Sequence, residues 1–458
     1  MNKNSLAQST QGGRVVKWKG RTASIAPAML SVSLVALSSG MGYAETVIST
    51  GLTTPQQITT DANVTVTSTG SVTLTNEPDT SIIEIDVIDY TSDFLIDGNL
   101  KYTSVGVARK ILGVSFTGDV SGTLTNNADI TLEVSNDGAS AWGIDVANVH
   151  GSISNDGSIT VTATADGKGQ FASAAGLDAA AISGTVSNNG YIVVSAKATD
   201  STASAWGLYA VDITDDGSIS NDGSILVDAT ADARAVAYGI EVLKLTYGTV
   251  SNDGTIEVTA TAAGASVPSM FATAYGIKAD GQTLSVKTSS LSNDGSITVT
   301  AAAEGTAAGR VSVSASGILL DDVNGAVSNN GSIAVTATAK GESTSLWIWG
   351  GAYGLEVGDI VGDASVSNNG DIDVEMSAVG TGKSVSGSAY GIIVKDVYGT
   401  LSNDGTIKVT STVEGQGLGT AINPSGQIMA YSNVGIYGSN IMDGGSVSNN
   451  GDIVVDVS

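Results

Sequence analysis

The stretch Gly151-Ser-Ile-Ser-Asn-Asp-Gly-Ser-Ile-Thr-Val161 decides the fold of this 458-residue chain. Ile159 and Val161 alternate with polar residues, which is the two-residue period of a strand with one buried face. Asn155-Asp-Gly157 stands between the two apolar-polar runs, and such Asn/Asp-Gly pairs supply the positive-φ positions that tight β-turns need. The stretch therefore predicts two short strands joined by a tight turn.

The same phrase recurs along the chain around ten asparagines that are spaced 29 to 46 residues apart. Such a period is typical of repeat architectures, whose units cannot bury their apolar faces alone. Stacking the units in register places Ile on Ile and Val on Val. We therefore favour an all-β parallel β-helix (β-solenoid) of about a dozen coils over a meander of hairpins. The asparagines are Asn126, Asn155, Asn188, Asn221, Asn252, Asn293, Asn329, Asn368, Asn403 and Asn449.

A second phrase precedes the first in most units, and it consists of a small residue, an aromatic residue, glycine and an aliphatic residue. It predicts a third strand in each coil. The variable insertions then lie on one side of the solenoid, between the Ile-x-Val strand and this third strand. The aromatic positions share the parity of Ile144 and Val146, which predicts a stack inside the core unless the intervening glycine breaks that parity. The aromatic residues are Trp142, Trp206, Tyr238, Tyr275, Tyr353 and Tyr390.

The N-terminus carries the features of an export signal. Residues 1–44 contain five basic and no acidic residues, an apolar segment from Ile25 to Leu37, and small residues up to Ala44. We predict a signal peptide over residues 1–44, cleaved after Ala44, and an exported solenoid domain over residues 45–458. The formal net charge of −26 argues against nucleic acid as a partner, because binding requires Lys and Arg at the phosphates. The sequence has no cysteine, which excludes disulfides and thiolate metal sites.

Asparagines at equivalent positions of stacked coils predict a hydrogen-bonded ladder with a structural role. The next residue is aspartate in five of the units, so a calcium-binding column of carboxylates is the alternative. Asparagine interrupts that column in four units, and we expect neither a metal nor a cofactor. The aspartates are Asp156, Asp222, Asp253, Asp294 and Asp404, and the interruptions are Asn189, Asn330, Asn369 and Asn450.

Trp347 and Trp349 are the candidate ligand-binding residues. They lie in the insertion Ser345–Gly350, which other units lack, and we expect an irregular loop there. Rigid aromatic side chains dominate recognition surfaces, although packing over the solenoid is the alternative. The single histidine, His150, precedes a repeat in a turn and is expected to be a surface residue, and a Ser-His-Asp triad would have to use it. We expect no catalytic residue and no enzymatic activity.

The leader, the absence of cysteine and the recurring Ser-Asn-Asn-Gly-x-Ile pattern resemble the passenger domains of autotransporter adhesins of Gram-negative bacteria, from about Glu45 onward. The resemblance implies a β-helical stalk at the cell surface, outer membrane or outside the cell. Adhesion, aggregation or biofilm formation would involve host or neighbouring-cell surface molecules, glycans among them. It also implies an outer-membrane β-barrel for export, which is absent from this chain, so we expect a truncation in mid-repeat at Ser458.

The alternative from another class is a polysaccharide-active β-helix enzyme, a lyase or a glycosidase. Such an enzyme would cluster three or more carboxylate or basic side chains on one exposed face. A face made uniformly of Thr, Ser and Asn would instead favour the stalk.

Overall fold

The structure, a computed structural model, describes residues 45–458 except 61, 78, 107–108, 265–266, 281–288, 307–308, 343–346, 382–383 and 416–426. The predicted signal peptide lies outside the described residues. The chain forms an all-β parallel β-solenoid, as predicted, and each regular coil contributes one strand to each of three sheets. The sheets hold 13, 13 and 14 strands, so the predicted count of about a dozen coils is approximately right.

Sheet I carries the short Ser-Asn strands, and each strand pairs in parallel with its equivalents in the coils before and after. Its strands are Glu45–Ile48, Asn63–Val66, Asp93–Ile96, Thr123–Asn126, Ser152–Asn155, Thr185–Asn188, Gly217–Asn221, Gly248–Asn252, Ser289–Asn293, Gly325–Asn329, Ser365–Asn368, Thr400–Asn403 and Ser446–Asn449.

Sheet II carries the Ile-x-Val strands, which follow the asparagine corner. Its strands are Gly51–Leu52, Ser71–Thr75, Asn99–Val105, Asp129–Asn136, Ser158–Ala165, Tyr191–Ala198, Ser224–Ala231, Thr255–Ala262, Ser296–Gly305, Ser332–Glu342, Asp371–Thr381, Ile407–Gly415 and Ile453–Val457.

Sheet III carries the aromatic-glycine strands, which close each coil. Its strands are Gln56–Ile58, Thr80–Ile85, Asp89–Tyr90, Lys110–Phe116, Asp119–Val120, Ala139–Val149, Ala172–Ile182, Thr202–Ile213, Arg234–Val242, Ser269–Ala279, Arg310–Leu320, Trp347–Ile360, Ser384–Val397 and Gln427–Ile441.

Columns of small aliphatic side chains fill the core between the three sheets. Ile159 and Val161 are fully buried, and they pair in register with Ile192 and Val194 of the next coil. Each fully buried Ile or Val side chain stabilises the fold by about 1.5–3 kcal/mol relative to exposure. Because every coil repeats the same inward positions, each coil buries the apolar face of its neighbours, and the solenoid is stabilised along its whole length.

The N-terminal coils use larger core side chains than the central ones. The rings of Tyr90 and Phe94 are buried, and both pack edge-on against Phe116 at centroid distances of 5.5 and 5.9 Å. The Tyr90 hydroxyl donates a hydrogen bond to the Ala62 carbonyl at 2.7 Å, which satisfies the one polar group that this ring buries. Aromatic residues therefore belong to the core near the N-terminus.

The corner between sheets I and II is nearly constant in length. Its glycines are needed for the close approach of neighbouring coils, which the sequence did not predict. Gly157, Gly190 and Gly223 do not have positive φ, so the predicted role in turn geometry is wrong. A Cβ on Gly190 would lie 2.0 Å from the carbonyl oxygen of Gly157, and a Cβ on Gly223 would lie 2.1 Å from that of Gly190. Glycine is required in these coils because the preceding coil approaches too closely for a side chain, although Ala128 occupies the equivalent position in the coil before Gly157.

Chain length varies between sheets II and III, as predicted, and also between sheets III and I. At the first corner, six residues separate Ala165 from Ala172 but three separate Ala198 from Thr202. At the second, two residues separate Ile182 from Thr185 but nine separate Ala279 from Ser289. The two variable corners border sheet III. Its outer face is therefore the side of the solenoid that differs most from coil to coil.

Candidate functional site

The ten asparagines form a continuous ladder at the constant corner. Each Nδ2 donates to the Oδ1 of the next asparagine, in nine hydrogen bonds of 2.6 to 2.7 Å that run from Asn126 to Asn449. All but Asn449 are buried. A buried amide without a partner is costly, so the ladder satisfies groups that could not otherwise be buried. Its role is to join coil to coil.

The residue after each ladder asparagine forms a second, exposed column. Asn189 Nδ2 donates to Asp156 Oδ1 at 2.6 Å, so asparagine links this column where it replaces aspartate. Three aspartates stack in succession at Asp222, Asp253 and Asp294, and burial together with these two neighbours raises the pKa of Asp253. Among the described residues, no group of three or more His, Cys, Asp or Glu side chains is arranged to hold a metal ion.

The aromatic side chains of sheet III point outward, so the predicted stack inside the core is wrong. Trp142 is half-buried, whereas Ala141 before it and Gly143 and Ile144 after it are buried. A Cβ on Gly143 would lie 2.4 Å from Cγ2 of Ile159, so this position faces inward and contacts sheet II. Two successive inward positions break the two-residue alternation, and that break turns the preceding ring toward solvent.

The outward rings form an interrupted column, which we call the aromatic column. Trp206 stacks on Tyr238 at a centroid distance of 5.8 Å and an interplanar angle of 5°, and Tyr238 stacks on Tyr275 at 5.2 Å and 16°. Tyr353 and Tyr390 form a second stack at 5.7 Å. Val434 occupies this position in the coil after Tyr390. Between Trp142 and Tyr390, two coils lack a ring. Small side chains take its place there, at Ala175 and Ser316.

A second outward column lies three residues further along each strand, and we call it the polar column. Trp206 Nε1 donates to Glu241 Oε2 at 2.6 Å, and Lys278 Nζ donates to Glu241 Oε1 at 3.1 Å. Lys278 also lies over the rings of Tyr238 and Tyr275, 5.7 and 6.0 Å from their centroids. The ring faces of one column and the carboxylates of the other thus bind the same ammonium group. The column contains Asp145, Asp178, Tyr209, Glu241, Lys278 and Glu356.

A groove lies where Ala175 interrupts the aromatic column. It has a volume of about 270 Å³, Trp142 and Trp206 stand on either side, and Ala175 and Asp178 contribute to its lining. Burial, and after it Asp145 on the preceding coil, raise the pKa of Asp178 to about 6 against the lowering effect of Lys110. The sequence analysis missed this groove. The one available signal was an alanine where neighbouring units carry tryptophan.

Trp347 and Trp349 belong to the strand Trp347–Ile360 of sheet III, so the predicted irregular loop is wrong for these residues. Residues 345 and 346 of that insertion lie outside the described residues. Trp347 is 58% exposed, while Ile348 between the tryptophans is buried. Three strands of sheet III lie between the strand of Trp347 and the strand of Trp206, so the structure does not bring these tryptophans to the groove.

His150 lies between Ser183 and Asp119, so the residue types of a Ser-His-Asp triad are present at this turn. Its Nδ1 is 2.7 Å from the Ser183 hydroxyl, and its Nε2 is 3.6 Å from Asp119 Oδ2. The same diagonal contact occurs one coil earlier without a histidine, where Ser121 Oγ donates to Asp89 at 2.7 Å. The contact is therefore a recurring link between turns.

The backbone at this turn is also unsuited to stabilising an oxyanion. The amides of His150 and Gly151 donate to the Val120 carbonyl, and those of Ser183 and Gly184 donate to the Val149 carbonyl. Acyl-transfer catalysis needs amides that are free to bind the developing negative charge.

No protein-family model, no curated protein and no solved structure matches this chain. Within the described part of the chain, no helix has the length and apolar character needed to cross a membrane. The function is therefore argued from the fold and from the outer face of sheet III.

Proposed function

We propose that this chain is an exported surface protein that acts as a β-helical adhesive stalk, with the outer face of sheet III as its recognition surface. The observation that carries this proposal is the contrast between outer faces. In one coil, sheets I and II present Ser154, Thr160 and Thr162 outward, while sheet III presents Trp142 and Asp145. Other coils add scattered charges to sheet II, such as Glu133, Lys197 and Glu257, but the stacked rings belong to sheet III. Rows of aromatic side chains suit recognition, whereas small hydroxyl side chains suit a spacer.

The solenoid also supports a mechanical role. Parallel pairing continues from coil to coil, with a register shift at Gly387 and Ser388, so the three sheets form a continuous scaffold that holds side chains of sheet III about 4.8 Å apart per coil. A surface ligand with several groups would meet a fixed row of contacts. Such multivalent engagement strengthens adhesion without any single tight site.

Export and surface display belong to the same proposal. The leader over residues 1–44 supports it, as does the resemblance to autotransporter passengers. Mass spectrometry of the protein secreted from a Gram-negative host tests the leader. We expect a mature N-terminus at Glu45, and retention of residues 1–44 in an unsecreted product would contradict export by this route.

Adhesion is tested with the purified full chain in cell-binding, pull-down and glycan-array assays. Trp206→Ala/Tyr238→Ala removes a stacked pair of sheet III, and Trp347→Ala/Trp349→Ala removes the tryptophans predicted from sequence. We expect saturable binding that one of these pairs of substitutions abolishes, with an unchanged β-rich circular dichroism spectrum. The absence of saturable binding by the folded wild-type chain would overturn adhesion and leave a passive stalk.

A second candidate function is polysaccharide cleavage, which the paired carboxylates Asp145 and Asp178 favour. They occupy register-matched positions on adjacent strands, and Asp178, with its pKa raised to about 6, has the protonation range of a general acid near neutral pH. Release of reducing ends or unsaturated products from polysaccharides, lost in Asp178→Asn, would establish this activity. Unchanged substrates after prolonged incubation would exclude it for the polysaccharides used.

A further inference from the structure

The groove at Ala175 is one of two breaks in the aromatic column between Trp142 and Tyr390, and at the other break the Ser316 hydroxyl donates to Glu356 at 2.9 Å. Ala175 pairs in register with Trp142 on one side and with Trp206 on the other. It is 1% exposed and lies at the bottom of the groove, between two half-buried indoles. An aromatic residue at this position would continue the column. Its absence leaves aromatic walls without the ring that would fill the space between them.

The next coils show what the two outward columns bind when they are filled. Lys278 lies over Tyr238 and Tyr275, and its ammonium group pairs with Glu241 at 3.1 Å and with Asp280 at 2.7 Å. Its side chain is only 17% exposed. The attraction of a cation to ring faces strengthens when both partners lose water. The chain thus contains its own bound alkylammonium group, held by rings and carboxylates together.

The groove has the same aromatic rings and carboxylates, but fewer lysine side chains of the chain itself to pair with them. Asp145 and Asp178 lie in its polar column, and Lys110 lies 4.9 Å from the centroid of Trp142. Lys110 comes from the strand on the opposite side of Trp142 from Ala175. Glu241 also lines the groove, but it is paired with Lys278 at 3.1 Å. Asp145 and Asp178 against Lys110 leave a formal charge of one negative unit, and the whole chain is strongly acidic. Both features attract a cation.

We propose that the groove between Trp142 and Trp206 is a binding site for an alkylammonium group, such as a lysine side chain or a choline group, of a surface partner. The indoles contact the alkyl or methyl groups, and Asp178 pairs with the positive charge. This inference rests on the proposed role of sheet III as the recognition face, and it names the chemistry of the partner.

The pH dependence of binding follows from the groups around Asp178. Asp145 from the preceding strand raises its pKa, Lys110 and a hydrogen bond from Trp142 lower it, and Tyr209 lies beside it on the next strand. Burial is the largest effect, and the pKa is about 6. Cation affinity is therefore highest above pH 6 and falls as Asp178 becomes protonated below it.

Isothermal titration calorimetry of the full chain at constant ionic strength tests the site with choline and butylammonium, which represent the two sources of the group. The neutral isostere 3,3-dimethylbutan-1-ol and methyl β-glucopyranoside are the controls. Ala175→Trp fills the groove, Trp206→Ala removes one wall and Asp178→Asn removes the charge. Tyr353→Ala is the matched variant, because it removes a ring of the same column outside the groove.

We expect at least one cation to bind saturably, with affinity reduced about 10-fold or more in Ala175→Trp, Trp206→Ala and Asp178→Asn, and unchanged in Tyr353→Ala. Whichever cation binds more tightly identifies the source. Equal affinity for choline and its neutral isostere would overturn the proposal, as would binding of the glucoside alone. Trp206→Ala keeps the test valid if Ala175→Trp does not fold.

The cell-binding assay on the same variants separates the two proposals. Cell binding that persists in Ala175→Trp, with cation binding lost, would support adhesion and exclude the groove as its site. Cation binding in a chain that adheres to no cell would support the groove and contradict the adhesive role.

Discussion

The asparagine corner and the outer face of sheet III belong to the same coils, yet they differ in how strictly they repeat. The corner carries asparagine in ten successive coils, whereas the aromatic column carries Trp, Ala, Tyr and Ser at equivalent positions. Each ladder side chain must contact the coils on both sides, so its chemistry is dictated by stacking. An outward side chain can stack on its neighbours, as Tyr238 does, but it can also be replaced by a small residue such as Ala175 because it faces solvent. Recognition chemistry can therefore accumulate on the outer face without loss of the fold.

The largest expected effect comes from the glycine that turns the aromatic column outward. Gly239→Val introduces a Cβ at 2.4 Å from Cγ2 of Ile256 and at 2.5 Å from the Gly276 carbonyl oxygen. We expect destabilisation of about 3 kcal/mol, since neither the packed isoleucine nor the backbone can move far. Tyr238→Phe, which keeps the ring, should change stability by much less. Denaturant unfolding and hydrogen exchange of residues 234–262 measure the difference, and equal effects of both variants would refute this role of the glycine.

A break in the asparagine ladder should be the next largest effect. Asn221→Ala removes the Oδ1 that accepts a hydrogen bond from Asn188 in the ladder. It also removes the Nδ2 that donates to Asn252 Oδ1, so the ladder is cut in two. We expect a loss of about 1–3 kcal/mol, because each unpaired buried group retains its desolvation penalty. Ser220→Ala, next to it on the outer face, is the matched control and should be nearly neutral. A loss confined to one coil by hydrogen exchange would show that the ladder acts locally.

Asp178→Asn tests the cost of placing a carboxylate on the recognition face. Because the folded-state pKa of about 6 lies above the ordinary aspartate value of 3.8, ionisation disfavours the folded state, and stability is lost as pH rises through this window. We expect the variant to be more stable by about 1 kcal/mol at pH 7.5, since solvent screens part of the penalty. The two proteins should have equal stability near pH 3.5. Thermal unfolding at both pH values checks this, and a pH-independent difference would contradict it.

The smallest effect concerns the exposed column beside the ladder. Asp253→Asn removes the repulsion with Asp222 and Asp294. The introduced amide can donate a hydrogen bond to Asp222 of the preceding coil, just as Asn330 donates to Asp294 at 2.6 Å. We expect a gain of about 0.2–1 kcal/mol that shrinks at high salt. Asn330→Asp should have the opposite sign. If both substitutions lower the unfolding temperature, charge repulsion does not determine the stability of this exposed Asp/Asn column.

Much of the architecture could be predicted from the repeat, because local residue order already contains it. Alternation of Ile and Val with polar residues predicts strands, and a recurring phrase predicts identical coils. The constant Asn-Gly corner could also be located, although the need for glycine there depends on how closely the next coil approaches Gly190. That approach is a property of stacking, which one unit of sequence does not contain.

The sequence by itself determined the solenoid, its three strand types and its acidic character. The tertiary structure decided which way the rings point, because the orientation of Trp142 depends on a contact between Gly143 and Ile159 across two sheets. It also decided that Trp142, Asp178 and Trp206 share a groove, since residues about one coil apart become neighbours only after the coils stack. Because the coils differ in length, a constant residue spacing does not identify which side chains become neighbours. Backbone pairing between strands identifies them, since register is set by hydrogen bonds and not by residue spacing.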